Sequence, residues 1–258
     1  QTEINVRDMD PRRFGKWASG DYAIAKSVDE YEQMYQPHLP GEFRDAGRPT
    51  RVTPLYEPLK EAGALYGDTF GWERAKWYAA KDEKENYSFR RNNSFAAVAK
   101  ECKVVRERVG LTDLTSFSKY EVSGTDAQSF LERLCANRVP TKAGGIVLSQ
   151  MLTEKGGIES EATIACLAEN HYYLLSAAVA ELHDFDWLVQ HIQKDEDVSV
   201  TNVTEDFGVL LITGPLSRDV LSTLTGTNLG NESGFTWMRV REISVSGIPV
   251  RALRVSYV

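Results

Sequence analysis

Two carboxylates follow a diglycine turn in the segment GGIESEATIACL, residues 156–167. The two glycines permit a left-handed backbone, so the chain can turn sharply into a strand. Because successive side chains of a strand point to opposite faces, we expect Glu159 and Glu161 to share one face with Thr163. Such a carboxylate is either solvated, or held in a partly apolar pocket where it exchanges a proton with a bound amine. The spacing leaves both interpretations open.

The elements that position these residues are predicted from residue 94 onwards. Apolar residues at helical spacing predict helices in residues 94–110, 125–137, 178–192 and 215–224. Runs rich in β-branched residues predict strands in residues 119–124, 162–167, 171–177, 198–203, 208–214, 241–247 and 249–258. Residues 1–90 differ, because they are rich in aromatic residues, Arg, Pro and Gly. They show two short helical stretches and no alternating strand pattern.

A faint internal repeat appears within the second region. A strand that ends in Gly124 is followed by a helix, and a strand that ends in Gly214 is followed by a helix with apolar residues at matching offsets. One interpretation is that strand, glycine and helix form a common way to turn a corner. The other is that the chain folds into two similar α+β lobes packed face to face, with a ligand between them.

Composition excludes several classes of function. The 258 residues carry a formal net charge of -7, so no basic stripe is available to bind nucleic acid. No apolar run approaches the roughly 18 residues that cross a bilayer. The three cysteines are far apart and predict neither a disulfide framework nor a metal site, which favours a reducing compartment. The polar start has no signal peptide and no initiator methionine, so we expect the numbering to begin inside a longer polypeptide.

Several segments together resemble a known family. Five segments are similar to the folate-binding, aminomethyltransferase-like fold of the glycine cleavage T protein. They are VVRERVGLTDLTSFSKYEVSGTDAQSFLERLCANRVP, LSQMLTEKGGIESEATI, YYLLSAAVAELHDFDWL, DFGVLLITGPLSRDVL and IPVRALRVSYV. The earlier run, with DPRRFG, GRPTRVTPLY and GWERAKWYA, resembles the linker after the flavin domain of dimethylglycine and sarcosine dehydrogenases. The resemblance implies an α+β fold of two similar mixed α/β lobes, preceded by a largely helical or irregular linker.

The resemblance also selects site residues. The T-protein pattern is Gly-Gly-x-x-Asp-Asp, and here Ser160 and Glu161 stand at the two acidic positions. It therefore implies Glu161 as the catalytic acid or base beside the folate pterin, with Ala162 and Thr163 as adjoining wall residues. Tyr257, which leads into a Gly-Glu motif in the family, is implied to contact the cofactor.

Two further candidates come from residue type alone. Phe117 could pack on the flat ring of a cofactor, although an aromatic residue at that spacing also suits a core. His183 and His191 lie eight residues apart and have no third ligand within reach by sequence, so we predict no metal.

The resemblance implies a linker over residues 1–90 and a C-terminally incomplete folate-binding domain over residues 91–258. Its function would be to capture the one-carbon unit of an oxidised N-methyl amine as 5,10-methylenetetrahydrofolate. Tetrahydrofolate would be the cofactor, and FAD would belong to a flavin domain of the same polypeptide, because these residues contain no dinucleotide fingerprint. No nucleic acid or membrane partner is expected. We expect a cytoplasmic location, or the mitochondrial matrix in a eukaryote. The alternatives are a non-catalytic structural or interaction module and a stand-alone folate-dependent aminomethyltransferase.

Overall fold

The computed structural model of the protein describes Met9, Pro11 and residues 14–256. The helices are α1 (Gly20–Glu32), α2 (Tyr56–Glu61), α3 (Ser94–Glu107), α4 (Ala127–Leu134), α5 (Glu181–Gln190) and α6 (Ser217–Leu224). The strands are β1 (Ala64–Thr69), β2 (Trp72–Tyr78), β3 (Gly110–Asp113), β4 (Ser118–Ser123), β5 (Ile146–Leu152), β6 (Ile158–Ala168), β7 (His171–Ser176), β8 (Ser199–Asn202), β9 (Leu210–Thr213), β10 (Arg239–Val245) and β11 (Ile248–Arg254). The predicted α+β class is confirmed.

The chain divides into two compact units. The first contains Gln1–Ser116 and Gly208–Gly214, and the second contains Phe117–Phe207 and Pro215–Val258. In the first unit, β1 pairs with β2 and β3 pairs with β9, in both cases antiparallel. The first helix, α1, begins after Ser19, whose hydroxyl accepts a hydrogen bond from the backbone N–H of Tyr22 at 3.3 Å.

The β1–β2 hairpin corrects one expectation for residues 1–90, which showed no alternating strand pattern in the sequence. Its two strands are joined by Phe70 and Gly71, which have φ values of 51° and 78°. Positive φ at both central residues is the geometry of a tight hairpin turn whose twist matches that of the strands. Trp72 and Trp77 of β2 are buried, so the hairpin has an apolar side.

The second unit is built on a five-stranded antiparallel sheet with the order β5, β6, β7, β4, β8. Helices α4 and α5 cover one face. The apolar cluster under them comprises Tyr120, Val122, Ala127, Phe130, Leu131, Leu134, Val139, Met151, Ala162, Ile164, Cys166, Tyr172, Leu174 and Leu188. Part of the opposite face packs on the β10–β11 hairpin through a cluster of Ile146, Ala165, Tyr173, Val203 and Val240.

The predicted strand–glycine–helix repeat is present in the local backbone. Gly124 follows β4 with a φ of 125°, and Gly214 follows β9 with a φ of 109°. Each is followed within three residues by an eight-residue helix, α4 or α6. Both glycines therefore adopt a backbone conformation that side chains disfavour, and the repeat is structural as well as sequential.

Candidate functional site

A tight turn leads the chain into β6, as the two glycines predict. The backbone N–H of Thr153 donates to the carbonyl oxygen of Gly157 at 2.8 Å, and the N–H of Gly156 donates back to the carbonyl of Thr153 at 2.9 Å. The Thr153 hydroxyl accepts a third bond from the N–H of Gly157 at 3.0 Å. Gly156 has a φ of 77°, which a side chain would strain. The entry to the strand is thus fixed by two backbone–backbone hydrogen bonds and one bond to the Thr153 side chain.

Glu161 lies three residues into β6, opposite Gln150 of β5. The amide nitrogen Nε2 of Gln150 donates a hydrogen bond to Glu161 Oε2 at 2.8 Å. Thr163, two residues further along, shares this face of the sheet and is buried. The carboxylate itself is exposed, so the structure gives it an oriented, solvent-accessible position and not the partly apolar pocket that the functional interpretation asks for.

A β-bulge separates Glu159 from Glu161, so the expectation that they share a face is wrong. Met151 of β5 pairs with Ser160, and the next residue, Leu152, pairs with Ile158, so Glu159 is the extra residue of the bulge. Glu159 instead contacts His183 of α5, with 2.7 Å between Oε1 and Nε2. The side chain of Glu159 is only 13% exposed, so it is not merely solvated.

The contacts of His183 extend to a buried carboxylate that the sequence analysis missed. The Nδ1 atom of His183 lies 2.9 Å from Asp184 Oδ1, and the Ser160 hydroxyl donates to Asp184 Oδ2 at 2.8 Å. Asp184 is fully buried. Burial raises the pKa of Tyr120, and the nearby charge of Asp184 raises it further. The only hint of this carboxylate in the sequence was that an Asp directly follows His183 in a predicted helix.

The other candidate residues occupy different environments. Ala162 is buried in the core under α4 and α5, on the face opposite Glu161, so it could meet a ligand only through its backbone. Phe117 is half-buried just before β4, and its carbonyl oxygen accepts a hydrogen bond from Lys119 Nζ at 2.8 Å. Tyr257 lies outside the described residues. Their roles at the site stay predictions.

No metal centre is visible in the described part of the chain, where no group of three or more His, Cys, Asp or Glu residues could hold an ion. His191, the second histidine of the pair considered above, lies 2.7 Å from the carbonyl oxygen of Trp187 through Nδ1. Its ring centroid is 4.1 Å from that of the indole.

Among the described residues, no helix is long and apolar enough to cross a membrane.

Comparison with known proteins identifies relatives over the whole chain. Human mitochondrial dimethylglycine dehydrogenase is 38% identical over 258 residues, which cover 98% of this chain and 29% of that protein. The mitochondrial pyruvate dehydrogenase phosphatase regulatory subunit of Mus musculus is 30% identical over 229 residues, covering 86% of this chain and 26% of that protein. The chain thus spans less than a third of the length of these relatives.

Structural similarity agrees with this result. The glycine cleavage system aminomethyltransferase T from Bartonella henselae superimposes with a TM-score of 0.60 at 26% identity, covering 74% of this chain and 46% of that one. Residues 1–53 match the FAD dependent oxidoreductase central domain. Residues 55–258, most of the chain, match the GCVT N-terminal domain, and the chain therefore belongs to the aminomethyltransferase family that this domain defines.

Proposed function

We propose that this chain is the tetrahydrofolate-binding portion of a dimethylglycine or sarcosine dehydrogenase-like flavoenzyme. In this proposal residues 91–258 form the folate-binding region and residues 1–90 the linker to a flavin domain of the same polypeptide. The relative with 38% identity is a dimethylglycine dehydrogenase, and residues 1–53 match a domain type of FAD dependent oxidoreductases. In a eukaryotic source, the mitochondrial relatives favour the mitochondrial matrix as its location.

The observation that carries the proposal is the held but accessible carboxylate of Glu161. A turn closed by two backbone–backbone hydrogen bonds and one bond to the Thr153 hydroxyl fixes the chain just before it, and Gln150 orients the carboxylate through Oε2. A carboxylate accepts hydrogen bonds only, and the ring edge of a reduced pterin carries N–H donors, so the two are complementary. Exposure of the side chain leaves room for a ligand to approach.

Bound tetrahydrofolate would supply the nucleophilic nitrogen that takes up the one-carbon unit. This chain would position that nitrogen, and Glu161 would accept the proton that the nitrogen loses and become the protonated acid. Thr163 lies on the same face as Glu161 and would form part of the wall, while Phe117 and Tyr257 would contact the cofactor rings. The electrophile would be the iminium that the flavin domain makes by oxidising an N-methyl amine. The amine nitrogen would leave with the electrons of its bond to the one-carbon unit.

The test is Glu161→Gln in the complete polypeptide, with its flavin domain. We expect the variant to form methylenetetrahydrofolate roughly 100-fold more slowly, because it cannot accept the proton, while amine oxidation proceeds at the wild-type rate. Glu154→Gln is the matched control, since Glu154 is an exposed carboxylate in the turn before β6. An unchanged rate of methylenetetrahydrofolate formation in Glu161→Gln would remove Glu161 from this role.

A second candidate function is favoured by one relative. The protein from Mus musculus with 30% identity is named as a regulatory subunit, so a chain of this family need not be part of an oxidoreductase. In that case the domain would serve as a non-catalytic interaction module. Calorimetric titration of the complete protein with tetrahydrofolate separates the two functions: saturable binding supports the first, and no binding supports the second.

A further inference from the structure

The side chain of His183 lies between two carboxylates. Its Nε2 atom is 2.7 Å from Glu159 Oε1, and its Nδ1 atom is 2.9 Å from Asp184 Oδ1. A neutral imidazole carries one N–H and could donate only one of these bonds, whereas an imidazolium carries an N–H on both nitrogens. An ionised carboxylate accepts hydrogen bonds and donates none. The geometry therefore matches a protonated His183 between two ionised acids.

Burial strengthens this assignment. The Asp184 side chain is fully buried, and those of His183 and Glu159 are 22% and 13% exposed. A buried carboxylate is costly unless it is paired and hydrogen-bonded. Asp184 meets this requirement through the Ser160 hydroxyl on Oδ2 and His183 on Oδ1. If His183 were neutral, neither Ser160 nor His183 would place a positive charge beside the buried Asp184 carboxylate.

The two carboxylates that contact His183 lie on different elements, so these contacts join the helix to the strand. Asp184 belongs to α5, whereas Glu159 and Ser160 belong to the first residues of β6. The β-bulge at Glu159 lets both of these neighbours reach α5, although adjacent strand residues normally point to opposite faces. Glu161, the next residue but one, then points away towards Gln150. The contacts with α5 thus fix the strand immediately before Glu161.

We propose that His183 is held as an imidazolium between Glu159 and Asp184 and acts as a positioning residue for Glu161. Its role rests on the proposed function, because the group that it positions is the proton acceptor of that function. In this proposal His183 acts through its contacts with Glu159 and Asp184 and not on the reacting atoms themselves. It secures the bulge that sets the direction of the Glu161 side chain, and a small misplacement of a reacting group is enough to slow a reaction.

The first test observes the imidazole directly in the wild-type chain. The sequence has four histidines, so their ring nitrogens are resolved by two-dimensional ¹H–¹⁵N correlation spectra, and His183→Gln assigns the signals of interest. We expect both nitrogens of His183 to be protonated at about pH 7, where a free histidine is largely neutral. A spectrum in which one of the two nitrogens lacks a proton would overturn the proposal, whatever the chain binds.

The second test is a double-mutant cycle in the complete polypeptide. His183→Gln should slow methylenetetrahydrofolate formation roughly tenfold with amine oxidation unchanged, and should have almost no further effect when combined with Glu161→Gln. His191→Gln, at the residue that follows the same helix, is the matched control and should retain wild-type rates. Glu159→Gln supplies a second variant at the less buried end of the contact, and we expect the same non-additive loss.

The outcomes separate this proposal from the proposed function. If Glu161→Gln has no effect on one-carbon capture, the proposed function fails, while the protonation state of His183 is still decided by the spectra. If Glu161→Gln slows capture but the effects of His183→Gln and Glu161→Gln multiply, His183 acts independently of Glu161 and the positioning role is wrong. Wild-type capture in both His183→Gln and Glu159→Gln would also overturn it.

Discussion

Arg251 of β11 forms an ion pair with Glu121 of β4, with 2.7 Å between Nη1 and Oε1. The same guanidinium lies 4.9 Å from the ring centroid of Tyr173 and 4.6 Å from that of Phe207, distances at which a cation is attracted to an aromatic ring. The other carboxylate oxygen of Glu121 is 3.1 Å from His171 Nε2. This cluster fastens the β10–β11 hairpin to the five-stranded sheet.

The Glu121 contacts predict a pH-dependent contribution to stability. Burial on its own would raise the pKa of Glu121, but Arg251 and His171 outweigh it, so the pKa lies below the ordinary value of 4.5. A carboxyl group whose pKa is lower in the folded state stabilises the fold above its unfolded pKa, and this contribution is lost as the pH falls through the folded pKa. We expect Glu121→Gln to reduce the free energy of unfolding by about 1 kcal/mol at about pH 7, after allowing for partial exposure.

Urea unfolding at a series of pH values measures this effect. The difference between wild type and Glu121→Gln should shrink as the pH is lowered below the ordinary glutamate pKa, because protonation removes the same charge from the wild type. The exposed residue Glu169, on the turn between β6 and β7, provides the control variant Glu169→Gln, which should match the wild type at every pH. A difference between wild type and Glu121→Gln that stays constant down to strongly acidic pH would contradict this account.

Adding a single methyl group at Gly124 is expected to lower the stability of the fold strongly. Its φ of 125° disfavours any side chain, and a Cβ atom there would collide with the carbonyl group of Asp197. We therefore expect Gly124→Ala to lower the free energy of unfolding by about 2–4 kcal/mol. Gly226→Ala is the matched control, since a Cβ atom at Gly226 meets nothing within 4 Å and the residue is not left-handed. Thermal unfolding followed by circular dichroism should leave Gly226→Ala near the wild type, and equal midpoints for the two variants would refute the prediction.

The second unit was largely predictable because its elements follow simple periods. Strands β4, β6 and β7 place alternate residues in the core under α4 and α5, as Tyr120, Ile164 and Leu174 illustrate. The apolar residues of α4 recur at helical spacing and pack on the same sheet face. Local patterns were sufficient here because burial on one face dictates the period.

The β1–β2 hairpin was not predictable from such patterns. A two-residue turn with positive φ at both positions is usually announced by Asn-Gly or Asp-Gly, and here the first position is Phe70. The ring of Phe70 stacks against Phe14, with 6.4 Å between the centroids, so tertiary packing supports a residue that local preference would reject. Strand β1 also lacks strict alternation of buried and exposed residues.

The contact between Glu159 and His183 escaped prediction for a related reason. A period of two predicted that Glu159 shares a face with Glu161, but the bulge inserts one extra residue and redirects Glu159 towards α5. Bulges leave no fixed mark in a sequence, and the partner lies 24 residues away. The turn and the position of Glu161 on the strand after it could be predicted from the sequence. The contact of His183 with the buried Asp184 became evident only in the folded structure.

The three cysteines predict a graded reactivity that can be measured without any ligand. Cys102 on α3 is exposed, whereas Cys166 is buried and Cys135 is half-buried. Burial raises the pKa of Cys135 to about 11 and also raises that of Cys166. The thiolate is the reactive form of cysteine, so these two thiols should react slowly at neutral pH.

A water-soluble maleimide should modify one thiol quickly in the folded chain and all three after denaturation. Cys102→Ser should abolish the fast phase seen by mass spectrometry, and a fast phase that survives in this variant would show that Cys135 or Cys166 is accessible.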